Sequence, residues 1–163
     1  MPPVTANDIE LMVRIALAFA MGGLLGFERE QIGRPAGLRT HMLVCVGSAC
    51  FTVASANAFG SDAVNRDPTR IAAQIVTGIG FLGAGTIFRT TSTVRGLTTA
   101  ANIWLAAAIG LLVGGGMYWI AIFTTLLALV TLRLLRLSAI RGVREPSATG
   151  EPSITGSAGE IID

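Results

Sequence analysis

Charge is absent from this sequence in blocks, and the blocks are about as long as a bilayer is thick. A helix crossing ~30 Å of hydrocarbon needs about 20 mostly apolar residues. Residues 40–59 carry no charge apart from what His41 can hold, and residues 71–88 lie uncharged between Arg70 and Arg89. Residues 97–113 are charge-free, and after the Gly114-Gly115-Gly116 break so are residues 117–132. The earliest stretch, residues 9–27, is interrupted only by Glu10 and Arg14. These are spaced i, i+4 with the acid first, the favourable order for a helical pair, and Arg14 can snorkel to the nearby interface. The blocks predict an all-α fold, a polytopic bundle of five transmembrane helices over residues 9–138. Composition agrees: 52% of the 163 residues are hydrophobic and 13% charged, against about 25% charged in soluble domains. An ordinary soluble enzyme, a disordered protein and a nucleic-acid binder are disfavoured.

Residues 1–8 hold Asp8 and no basic segment, so a cleaved leader is not expected. Asn7 with Glu10 three residues on reads as a capping box, and Asp67 before Pro68 reads as the N-cap of the third span. Five spans put the termini on opposite faces, and arginines set the direction. With residues 1–8 outside, the inner segments hold Arg29, Arg34, Arg39, Arg89, Arg95, Arg133, Arg136, Arg141 and Arg144, and the outer loops only Arg66 and Arg70. Nine against two predicts an extracytoplasmic N-terminus and a cytoplasmic C-terminus. Residues 139–163 contain Glu-Pro-Ser-x-Thr-Gly at Glu145 and again at Glu151, a composition that cannot bury a core, and are expected to form a disordered cytoplasmic tail.

An internal similarity runs through the first four spans. Arg14-Ile15-Ala16, Gly23-Leu24-Leu25-Gly26 and Gly37-Leu38-Arg39-Thr40 parallel Arg70-Ile71-Ala72, Gly80-Phe81-Leu82-Gly83 and Gly96-Leu97-Thr98-Thr99, in the same order. It suggests that helices 1–2 and 3–4 form a parallel repeat about an axis along the membrane normal. Gly78 through Gly85 satisfies the GxGxxG string of dinucleotide-binding folds, but lies within an apolar run instead of between a strand and an amphipathic helix. Small residues at spacing four let membrane helices approach closely. Gly22 with Gly26, Gly110 with Gly114, and Gly78, Gly80, Gly83 and Gly85 are therefore read as helix-packing positions. A broken or re-entrant helix at Gly78–Gly85 is the alternative.

The polar residues point to one end of the bundle. Glu28, Arg29, Arg39, Thr40 and His41 gather around the first inner loop, and are taken as a functional cluster at the cytoplasmic mouth. A carboxylate at a helix C-terminus opposes the dipole, so Glu28 is expected to pair with Arg39. Gln74 and Asn102 are intramembrane amides, which need interhelical partners or line a polar path. His41 and Cys45 share a helix face at i, i+4, but two ligands are too few for a closed metal site. Both cysteines, Cys45 and Cys50, read as small buried residues. No metal site, cofactor or catalytic constellation is expected.

Gly26-Phe27-Glu28-Arg29-Glu30, Ala36-Gly37-Leu38-Arg39-Thr40-His41, Arg70-Ile71-Ala72-Ala73-Gln74, Gly78–Gly85 and Arg95-Gly96-Leu97-Thr98-Thr99-Ala100-Ala101, taken in order, resemble the membrane domain of the MgtC/SapB family. The resemblance implies a bacterial inner-membrane protein of five or so spans, linked to magnesium homeostasis and adaptation to low magnesium. It also implies a regulator acting on a membrane partner such as the ATP synthase. The alternative is an ion or small-solute permease lined by Gln74, Asn102 and the Glu28/Arg39 cluster. The bilayer, a membrane-protein partner and a homo-oligomer are the partners considered, and nucleic acid is not among them.

Overall fold

The computed structural model describes residues 5–58, 67 and 69–142, with side chains described up to residue 134. It is all-α. Five helices follow one another as α1 (Ala6–Gln31), α2 (Leu38–Asn57), α3 (Thr69–Ala84), α4 (Leu97–Gly114) and α5 (Tyr118–Gly142), with a two-stranded hairpin between α3 and α4. Three of them, α1, α2 and α4, are long and apolar enough to cross a membrane, and the apolar stretch Tyr118–Leu134 of α5 is slightly shorter.

The helix ends follow from local chemistry. Thr5, not Asn7, is the N-cap of α1: its hydroxyl accepts from the Asp8 N–H, and the Asp8 carboxylate accepts from the Thr5 N–H at 2.8 Å. The helix therefore starts two residues earlier than a box built on Asn7 and Glu10 would allow. Glu10 bonds Arg14 instead. Asp67 does cap α3, accepting the Thr69 N–H at 2.9 Å. The hydrogen bonds from Thr69 hold its carboxyl below the usual range, so the cap is ionised at neutral pH and is lost only as acid titrates it.

At its other end, α3 stops at Ala84 and not near residue 88. The Thr86 hydroxyl bonds the Gly83 carbonyl at 2.8 Å, and the chain turns into the hairpin Phe88–Arg89/Val94–Arg95. Gly96 closes this turn at φ +91°, where a Cβ would stand 1.9 Å from the Thr86 carbonyl oxygen, so only glycine fits. Sixteen residues rise about 24 Å, so α3 falls short of a full span. At the C-terminal end, α5 carries on to Gly142, past the expected tail boundary at 139. Residues 143–163, where the tail was expected, lie outside the described residues, as do residues 1–4.

Helices α1, α2 and α4 pack against one another as a triangle, while α3 and α5 lean on α4. The interior is built mostly from small side chains, among them Ala18, Cys45, Ala49, Ala106, Ala107 and Ala121, with Leu25, Ile103, Ile109 and Val113 as its larger members, while Phe19, Phe27, Leu43, Phe51, Phe81 and Trp119 face outward. That inversion suits lipid, where close packing and not hydrophobic burial drives helices together. A Cβ on Gly22 would stand 2.6 Å from the His41 carbonyl oxygen, and one on Gly26 2.6 Å from the Leu38 Cα, so α1 lies backbone-to-backbone on α2. Between α2 and α4, a Cβ on Gly110 would stand 2.1 Å from the Cys45 carbonyl oxygen and one on Gly114 2.8 Å from that of Ala49.

The remaining glycines differ. Gly78 and Gly80 have nothing within 4 Å, Gly83 is in ordinary contact with Ala100, and Gly85 meets only the carbonyls of its own helix. The expectation of close packing at Gly78 and Gly80 is therefore corrected: neither touches a neighbouring helix, and Gly78 lines an open gap towards α2. Gly37 and Gly96 both stand as N-caps, of α2 and α4. Even so, α1 sits far tighter on α2 than α3 does on α4.

These contacts predict that Gly110→Ala destabilises the protein by about 1–3 kcal/mol through overpacking. Gly47→Ala and Gly78→Ala, where an added methyl meets nothing, should be neutral or up to ~1 kcal/mol stabilising. Thermal unfolding of the three variants in detergent measures the difference.

Candidate functional site: a buried polar cluster

The antiparallel α1–α2 pair and the parallel α2–α4 pair bring one end of each helix together. At that end, Glu28 and Arg29 of α1, His41 of α2, and Thr99 and Asn102 of α4 are all buried. His41 is completely enclosed. Its Nδ1 lies 2.9 Å from the Gly37 carbonyl oxygen and its Nε2 2.8 Å from Asn102 Nδ2. A carbonyl can only accept, so Nδ1 carries the proton and Nε2 accepts from the Asn102 amide, a tautomer assigned from the network. One ring thus ties the first turn of α2 to α4.

Arg29 reaches the same helix from the other side, its Nη2 donating to Thr99 Oγ1 at 3.3 Å. Arg14, half the length of α1 away, donates from Nη1 to the Gly114 carbonyl at 2.9 Å while holding Glu10. A guanidinium at the C-terminus of α4 satisfies a free carbonyl and favours the negative end of the dipole. Two arginines thereby fasten α1 to the two ends of α4.

Glu28 and Arg29 are the costly members. Opposite charges buried side by side offset part of each other's desolvation, and the Glu28 carboxylate acts on both Arg29 and His41. Yet Glu28 Oε2 and Arg29 Nε have no hydrogen-bond partner. Buried ionisable groups inside a membrane bundle mark function by default, and this cluster is the strongest such feature among the described residues.

The expected pairing of Glu28 with Arg39 does not form. Arg39 is exposed, and among the described residues the ion pair is Glu10–Arg14. The reason is angular: Arg39 and His41 are two residues apart, about 200° around the helix, so when His41 points inward Arg39 points out. Thr40, half-buried, lies between them. It is Glu30 that caps α2, its Oε2 accepting the Leu38 N–H at 2.7 Å, a carboxylate at a positive dipole end. Asn102 belongs to the cluster, whereas Gln74 is exposed and lies on the wall of a lateral groove between α2 and α3. Cys45 is buried against Gly22, but Cys50 is exposed, contrary to its reading as a buried residue. No group of three or more His, Cys, Asp or Glu able to hold a metal occurs among the described residues.

Thr99 was not legible as a site residue by itself, although its i, i+3 spacing from Asn102 places both on one face of α4.

The family comparison covers this entire arrangement. The MgtC family pattern matches residues 15–139, from the first helix to the last and across every member of the cluster. The chain belongs to the MgtC family. It is 46% identical over 129 residues to YhiD of Escherichia coli K12, whose name describes it as a candidate magnesium transporter; the match covers 77% of this chain and 60% of that one. It is 51% identical over 122 residues to protein MgtC of Brucella abortus, covering 75% of this chain and 50% of the relative. With protein MgtC of Salmonella typhimurium it shares 45% identity over 141 residues, 86% of this chain and 59% of the relative. The match thus spans about half to three fifths of each relative's length. No solved structure matches the chain.

If the His41–Asn102 bond holds the MgtC-type bundle together at this end, removing the amide leaves a buried ring nitrogen unpaired. Asn102→Ala should then cost about 1–3 kcal/mol, and a double-mutant cycle with His41→Ala should give a coupling of about 0.5–2 kcal/mol. Gln74→Ala should be within ~0.5 kcal/mol of the parent. Unfolding curves in detergent read all four variants.

Proposed function

We propose that the chain is a non-catalytic inner-membrane protein of magnesium homeostasis that regulates a membrane-protein partner through helix contacts. The observation that carries this reading is the closure of the polar cluster. The side-chain hydrogen bonds of His41, Thr99 and Asn102 go to another helix or to a neighbouring turn, and α1 lies on α2 there backbone-to-backbone. Residues that line a solute path instead face a water-filled cavity. Two lateral cavities against α3, of about 600 and about 210 Å3, are walled almost wholly by apolar side chains. A magnesium path needs oxygen ligands and room for retained water, and Glu28 is the single buried carboxylate among the described residues.

The ATP synthase is the partner that the family resemblance implies. The arginine distribution supports an outside N-terminus and a cytoplasmic C-terminus, which puts the cluster at the cytoplasmic end. Self-association in the bilayer is compatible with this role. A second reading, transport of magnesium, is favoured by the name of the Escherichia coli relative.

Reconstitution separates the two. The regulator reading expects proteoliposomes to pass magnesium, potassium and protons no faster than empty vesicles. It also expects His41→Ala and Asn102→Ala, at normal membrane abundance, to lose complementation of growth at low magnesium. Protein-dependent magnesium flux would replace it with the transport reading. Orientation is checked separately by a C-terminal fluorescent fusion, expected to glow without export.

A further inference from the structure

α3 stands away from α2, and the space between them is a groove of about 600 Å3. Leu43, Gly47 and Phe51 form its α2 wall and Ile71, Gln74, Gly78 and Leu82 much of its α3 wall. The two glycines make it wide: a Cβ on either Gly47 or Gly78 would meet nothing within 4 Å. Leu43, Gly47 and Phe51 recur at i, i+4 and i+8, so they form one stripe along α2. Continued one turn towards the N-terminus of α2, that stripe reaches Arg39. Arg39 is exposed and has no carboxylate at ion-pair distance among the described residues. From Arg39 to Phe51 the stripe rises about 18 Å, close to the ~15 Å of one leaflet in a ~30 Å hydrocarbon core.

We propose that this groove is a binding site for one anionic phospholipid, its acyl chain lying between α2 and α3 and its phosphate held by Arg39. Two features select a lipid over a partner helix, and a third selects its headgroup. The cation sits at one end of the apolar stripe, at the position of a headgroup, and not along its length. The stripe with its cation is one leaflet long, where a crossing helix would need two. The charge at the mouth is positive and uncompensated, which favours a headgroup of net negative charge over a zwitterionic one, whose phosphate is balanced by its own ammonium. This site is separate from the buried cluster, whose His41 points to the other side of α2, and it holds whichever reading of the function is correct.

The full chain is placed in nanodiscs of equal phosphatidylglycerol and phosphatidylcholine, released into mild detergent, and the retained lipid identified by native mass spectrometry. The parent chain is expected to retain phosphatidylglycerol over phosphatidylcholine by about fivefold, the effect of one surface cation. Arg39→Gln should abolish the preference. Gly47→Leu, or Gly78→Leu from the facing wall, should fill the groove and remove the retained lipid at unchanged melting temperature. Two variants from opposite walls guard against a local folding defect in one of them. Equal retention of the two lipids by the parent, or an unchanged preference in Arg39→Gln, overturns the proposal. So does a dimer that Gly47→Leu dissociates, since the groove would then seat a second copy of the chain.

Discussion

The backbone of α2 is pinned on two sides by glycine. The His41 carbonyl meets Gly22 of α1, and the Cys45 carbonyl meets Gly110 of α4, both at distances where a methyl group does not fit. In lipid there is little hydrophobic gain in bringing helices together, so such contacts, with the dispersion they permit, supply the packing. Everything else at that end of the bundle follows from it. With α2 held this closely, His41 has one place to put its ring, and Asn102 stands opposite because α4 runs parallel to α2. The arginines then fix the third side of the triangle, Arg14 on the Gly114 carbonyl and Arg29 on the Thr99 hydroxyl.

This arrangement explains why charged groups can persist in an apolar protein. Buried arginines and carboxylates cost several kcal/mol each unless paired, and a fold that needed only to pack would replace them with apolar residues. Arg14 has a structural explanation: it neutralises a helix end and holds Glu10. Glu28 and Arg29 are only partly compensated, since one oxygen and one guanidinium nitrogen lack partners. The cluster is nonetheless enclosed, with Glu28, Arg29 and His41 almost fully buried, and this closure, more than the lateral groove, is what supports the regulator reading.

Much of the fold was legible in the sequence, because charge-free length is a direct consequence of bilayer thickness. Helices α1, α2, α4 and α5 fall close to the charge-free blocks. The end of α3 was not legible. Apolarity continues from Leu82 through Phe88, and only the Thr86 hydroxyl and the positive φ of Gly96 divert that stretch into a hairpin. Spacing identified the glycine pairs of α1 and α4 as candidates, but gave the same reading to Gly78 and Gly80, which face open space. Small residues at spacing four permit close approach without saying which face is approached. At the site, Glu28, Arg29, His41 and Asn102 were picked out as polar residues in apolar surroundings. The pairing of Glu28 with Arg39 failed because opposite charge says nothing of helical phase, which sends Arg39 outward when His41 turns in.

The glycine-pinned α2 delivers a neutral His41 to Asn102 as a hydrogen-bond acceptor. The chain contains one histidine, so 15N solid-state NMR of histidine-labelled protein in lipid bilayers at neutral pH reads that ring without ambiguity. The expected spectrum is that of a single, immobile imidazole protonated at Nδ1 and unprotonated at Nε2, whose Nε2 resonance shifts on Asn102→Ala. A ring protonated at Nε2, or one insensitive to that substitution, would contradict it.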